Sequence, residues 1–227
     1  MTKTIENLFA ILHYSVNTII IILFISFYGK VKQEKAFLAI ALYCLIDSIL
    51  NLTSKYVGLG FTLRLYIWST FTFVEYLIFT LIIWQSIKNL SIKRMIIYAS
   101  AAFIVFTTIY NIATNFRRID SIPIGVETIL ILVFSFYFLY EQMNDTSSLF
   151  IYSKYQFWII IGFMIYLAGS FFVFILANFM GAGLLQQYWI MTNAIYAIMI
   201  VLFAISFFVY DKGNKTNIHK NLRPYLN

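Results

Sequence analysis

Residues Tyr155 to Asn178 read YQFWIIIGFMIYLAGSFFVFILAN, and no Asp, Glu, Lys or Arg interrupts them. A helix gains 1.5 Å per residue, so roughly 20 apolar residues cross a hydrocarbon core about 30 Å thick. This stretch is long enough to do so. Working outward from it, six more apolar runs of similar length appear: Leu8 to Tyr28, Ala36 to Thr53, Leu65 to Ile87, Met95 to Thr114, Pro123 to Gln142 and Tyr188 to Tyr210. The second is the shortest. Hydrophobic residues make up 62% of the chain and charged ones 11%, whereas soluble domains hold roughly 45–50% and about 25%. The chain therefore reads as a polytopic integral membrane protein.

Helices are the expected form of these runs. A backbone crossing lipid must satisfy its own hydrogen bonds, and the runs lack the in-out alternation of a barrel strand. The expected fold is all-α, a seven-transmembrane-helix bundle occupying residues 1–210, followed by a short basic tail at 211–227. No stretch has room for a kinase, cyclase or nucleotide-binding module. Leu8 to Tyr28 is too long for a signal-peptide core and ends in bulky Phe27 and Tyr28, so it is kept as the first span.

Basic residues in short loops mark the cytoplasmic side. One face collects eleven: Lys30, Lys32, Lys35, Lys88, Lys93, Arg94, Lys154, Lys212, Lys215, Lys220 and Arg223. The other collects five: Lys3, Lys55, Arg64, Arg117 and Arg118. This predicts the N-terminus outside and the C-terminus in the cytoplasm. The net charge of +7 is then explained by topology and by attraction to anionic lipid, with no nucleic acid among the partners. Cys44, the only cysteine, reads as a buried structural thiol.

Ionisable groups inside a span are costly and draw attention to function. There are four: His13 and Glu127, about one turn inside the outer boundary, and Asp47 and Glu75, nearer the middle. No Lys or Arg accompanies them within the spans. The three carboxylates must therefore be protonated, hydrated, hydrogen-bonded or neutralised by a cation. Residues three, four and seven apart share a helix face, and each group sits in a polar stripe: His13 with Asn17; Tyr43, Asp47, Asn51 and Ser54; Trp68, Thr72 and Glu75; Ser100, Thr107 and Asn111; Trp189, Asn193 and Tyr196. These stripes are expected to face inward. Where they converge they would form an acidic, aromatic-walled cavity open to the outside, centred on Asp47, Glu75 and Glu127 with His13, Asn17, Asn51, Trp68, Asn193 and Tyr196 around them. The competing reading for each Asn, Thr or His is interhelical hydrogen bonding alone.

Several chemistries are disfavoured. No span carries the lysine that a retinal Schiff base requires. Catalytic zinc usually takes three protein ligands, and the second histidine, His219, lies in the tail. Asp47 and Ser48 are consecutive on a helix and point about 100° apart, a poor hydrolytic dyad. No cofactor is expected. Transporters are often built from repeated triplets, but the only echo is Val74-Glu75 against Val126-Glu127.

The sixth span has a pattern of its own: Phe157-Trp158, Gly162, Tyr166, Gly169-Ser170 and Phe174. Gly162 and Gly169 lie seven apart on one face, where the lack of a side chain permits close helix packing. Here the chain resembles uncharacterised seven-helix membrane proteins of Bacteroidota-type bacteria, similar in turn to the membrane regions that precede some sensor histidine kinases. The resemblance implies a bacterial inner membrane and a sensing role. The chain carries no kinase before Asn227, so a signal would pass to a separate partner.

Three functions follow as expectations. The first is a sensory or ligand-binding protein with an outward-facing polar cavity, taking a small molecule or cation. The second is a small transporter or channel that uses the same carboxylates for cation or proton movement. The third is an intramembrane lipid-modifying enzyme.

Overall fold

Each expected span corresponds to a single helix of the computed structural model, with Ile87 one residue past the end of its helix; the structure describes residues 2–56, 61–114, 121–145, 150–176, 179 and 181–222. The helices are α1 (Thr2–Val31), α2 (Lys35–Tyr56), α3 (Phe61–Ser86), α4 (Leu90–Thr114), α5 (Ser121–Met143), α6 (Tyr155–Leu176) and α7 (Ala182–Leu222). All seven are long and apolar enough to cross a membrane. Asn178, Arg117, Arg118 and Arg223, all used in the sequence reading, lie outside the described residues. Pro123 sits in the first turn of α5, where its missing N–H leaves no helical bond broken. Tyr210 does not end the last helix, because α7 continues through the start of the basic tail to Leu222.

Six helices form a closed ring in which α1 packs on α2, α2 on α3, α3 on α5, α5 on α6, α6 on α7 and α7 back on α1. The fourth helix lies outside this ring, against α3 and α5. Aromatic side chains fill the interior. Phe79 of α3 stacks on Phe163 of α6 with centroids 3.9 Å apart, and Phe203 of α7 meets Phe163 edge-on at 5.5 Å. Lipid removes most of the hydrophobic drive for helices to associate, so interlocking contacts of this kind hold the bundle together. Gly162 and Gly169 belong to the same α6–α7 seam. A Cβ on Gly162 would lie 3.1 Å from Phe203 Cε1, and one on Gly169 would lie 2.8 Å from Ile195 Cδ1.

One end of the bundle is tied by polar contacts. Lys30 Nζ lies 2.6 Å from Asp211 Oδ1, joining the end of α1 to α7. Asp145 Oδ2 receives Lys88 at 2.8 Å and Lys154 at 3.0 Å. The Tyr155 hydroxyl donates to Glu34 Oε2 at 2.6 Å. Glu141 accepts the backbone N–H groups of Lys88 and Asn89, while Asn89 Oδ1 accepts the N–H of Ser91, capping the start of α4. These contacts bring together the α1–α2, α3–α4 and α5–α6 connections and the α7 extension. They gather most of the basic residues at this end.

Candidate functional site

The opposite half of the bundle encloses a cavity of about 540 Å3. Its walls come from α1, α2, α3, α6 and α7, with Ile124 the contribution of α5. The chemistry is set by α2, whose Tyr43, Asp47 and Asn51 recur at four-residue spacing and so share one face.

Asp47 is the hub. Its Oδ2 lies 2.6 Å from His13 Nε2 and 2.7 Å from the Asn17 amide nitrogen, both on α1. The Tyr196 hydroxyl on α7 is 3.1 Å from the same oxygen and 2.7 Å from Asn17 Oδ1, so its one proton serves either acceptor. Asn51 donates to Oδ1 at 2.8 Å. The His13 ring stacks on Tyr196 at 4.5 Å. Asp47 is only 2% exposed, and burying a carboxylate requires this kind of saturation by donors.

Glu75 on α3 is held differently. The Tyr43 hydroxyl donates to its Oε1 at 2.7 Å, and among the described residues this is its hydrogen bond. The residue is 6% exposed and borders the cavity. Beyond it stand the aromatic walls. Trp68 and Trp189 have ring centroids 5.7 Å apart, Phe174 meets Trp189 edge-on at 5.6 Å, and Phe71 and Tyr166 complete the lining.

Of the residues singled out in the sequence, the lining includes His13, Asp47, Asn51, Trp68, Glu75, Asn193 and Tyr196. Asn17 stands behind Asp47 as its support. Glu127 requires a correction, because it does not line the cavity. Ile124, one turn earlier, is where α5 reaches the wall, and Glu127 is buried beyond it with Oε1 lacking a hydrogen-bond partner. A second correction concerns the stripe on α4. That helix lies outside the ring, so its stripe binds the back of α3 instead: Ser100 meets the Tyr76 hydroxyl at 2.9 Å and Asn111 donates to Ser69. The 2.6 Å contact holds His13 and Asp47 at one level of the bundle.

Phe71, Thr192 and Leu167 line the cavity but were not singled out. Apolar and hydroxyl residues are so frequent in these helices that nothing local marks them. Among the described residues, no group of three or more His, Cys, Asp or Glu side chains is placed to hold a metal ion.

No protein-family model matches the chain, and neither a curated protein nor a solved structure is significantly similar to it. The site's own geometry is therefore the ground for its function.

Proposed function

We propose that this polytopic membrane protein is a sensory or ligand-binding protein of a bacterial inner membrane. In this reading the N-terminus is outside, the cavity faces outward, and the basic end meets a signalling partner in the cytoplasm. The observation that carries it is the reach of α7. Thr192, Asn193 and Tyr196 of this helix line the cavity, and Asp211 on the same unbroken helix pairs with Lys30 at the other end. A ligand that moved the cavity wall would move this contact with it, and coupling requires such a shared rigid element.

The test is a small-molecule screen by thermal shift on the full chain in lipid nanodiscs, with wild type beside Thr192→Trp, which narrows the cavity. Compounds that stabilise wild type and not the narrowed variant are the expected result. A screen spanning cations, anions and neutral molecules that yields none overturns the reading.

A specific observation favours a second reading, a small transporter or proton relay. Going from the cavity toward the basic end, Glu127 Oε1, Thr128 Oγ1 and Ser135 Oγ on α5 are buried without hydrogen-bond partners. Water threading past them would satisfy all three. Proteoliposome flux that Glu127→Gln abolishes is the result that selects this reading.

A further inference from the structure

Resting on the ligand-binding reading, we infer that the cavity takes a small organic cation, an ammonium group carried on an apolar body, with Glu75 as its counter-charge.

The two lining carboxylates differ in what they have left to offer. Asp47 is surrounded by His13, Asn17, Asn51 and Tyr196, which together occupy both of its oxygens. Glu75 receives one donor, Tyr43, on Oε1. Its Oε2 has no protein partner among the described residues, although the side chain is buried and borders the cavity. An acceptor open to the cavity in this state is available to a donor from the ligand, and a charged donor gains most because the bond is charge-assisted.

The rest of the lining agrees in sign. His13, Asp47 and Glu75 are its ionisable acid-base groups apart from tyrosines, and it contains no Lys or Arg. An anion would therefore meet Glu75 with nothing to offset it. A neutral donor would pair with Oε2 without the charge assistance that an ammonium supplies. The paired tryptophans Trp68 and Trp189, with Phe71 and Phe174, present ring faces of the kind that attract a desolvated cation.

The shape excludes a bare metal ion as the natural occupant. Calcium takes six to eight oxygen ligands and magnesium close to octahedral geometry. Here one carboxylate oxygen is free, and apolar and aromatic groups form most of the wall. A volume of about 540 Å3 falls in the range of small-molecule pockets, about 300–1,000 Å3. One free carboxylate oxygen matches one positive charge, and the aromatic walls match the apolar remainder of the ligand.

The experiment uses three compounds of nearly equal size: 2-phenylethylamine, cationic at neutral pH; 2-phenylethanol, neutral; and phenylacetate, anionic. Binding to the full chain in nanodiscs is followed by tryptophan fluorescence and calorimetry. The amine is expected to bind at least about ten-fold more tightly than either of the others, a gap of about 1.4 kcal/mol. Glu75→Gln should bring amine and alcohol to within about two-fold of each other while leaving alcohol binding in place, which also shows that the variant is folded. Asp145→Asn, at the far end, should retain the preference. Equal or tighter binding of the alcohol or the acid overturns the cation assignment while leaving the ligand-binding reading intact. A preference that survives Glu75→Gln overturns the role of Glu75. Binding by none of the three overturns the cation assignment, and the screen against Thr192→Trp then decides the broader reading separately.

Discussion

His13 Nε2 and Asp47 Oδ2 stand 2.6 Å apart across the α1–α2 interface, with both side chains largely buried. The contact makes Asp47 a joint between three helices, because Asn17 and Tyr196 converge on the same oxygen. Removing this acceptor leaves several buried donors unsatisfied, at about 1–3 kcal/mol each. Asp47→Ala, which strands more than one of them, should therefore destabilise the bundle by about 3 kcal/mol or more, and Asp47→Asn by less, about 1–3 kcal/mol, because an amide oxygen still accepts. Unfolding in detergent micelles measures both. The losses from His13→Ala and Asp47→Ala should fall short of additive in the double variant.

Tyr43→Phe leaves Glu75 without its donor and changes almost nothing else in shape. A hydrogen bond to a charged group contributes about 1.5–3 kcal/mol, so a loss of stability up to that size is expected in the empty protein. A bound cation should recover part of it. Melting temperatures with and without 2-phenylethylamine provide the comparison.

Two glycines should respond in opposite directions. A Cβ on Gly169 meets Ile195 Cδ1 at 2.8 Å and Cγ2 at 3.1 Å, so Gly169→Ala must displace a side chain in the α6–α7 seam. A cost of about 1–3 kcal/mol is expected from overpacking. Gly29, in α1, has nothing within 4 Å of its would-be Cβ. Gly29→Ala should stabilise by up to about 1 kcal/mol through helix propensity alone. Parallel unfolding curves of the two variants check the contrast.

The basic end carries a pH signature. The hydrogen bond from Lys88 to Asp145, with the charge of that carboxylate, holds the Lys88 ammonium above its ordinary value of 10.5. A raised lysine contributes its stabilisation in full below the unfolded value and loses it as pH rises through the folded one. Wild type should thus lose stability relative to Asp145→Asn above pH 10.5, and the difference between them should be constant from pH 7 to about pH 9. Thermal melts across this range test the sign.

Particular residues show how much of the site was legible. The four-residue spacing of Tyr43, Asp47 and Asn51 marked one face of α2, and the structure turns Asp47 and Asn51 to the cavity while Tyr43 reaches Glu75. The same logic placed Ser100, Thr107 and Asn111 on one face of α4, yet that face meets α3 instead of the cavity. Periodicity reports which residues share a face. It does not report what the face touches. Glu127 fails for the same reason: its intramembrane carboxylate was visible in the sequence, but its position behind Ile124 depends on how α5 leans on α3 and α6.

Composition and run length by themselves determined that this chain is helical and crosses the membrane, because lipid leaves a polar backbone almost no other choice. They also determined which ionisable groups lie inside. Which carboxylate is saturated and which is free was decided only by tertiary packing. Asp47 faces α1 and α7, whose His13, Asn17 and Tyr196 supply donors, while among the described residues Glu75 finds Tyr43 alone. Hydrogen bonds act over about 3 Å, and only the assembled bundle brings side chains from distant helices within that reach.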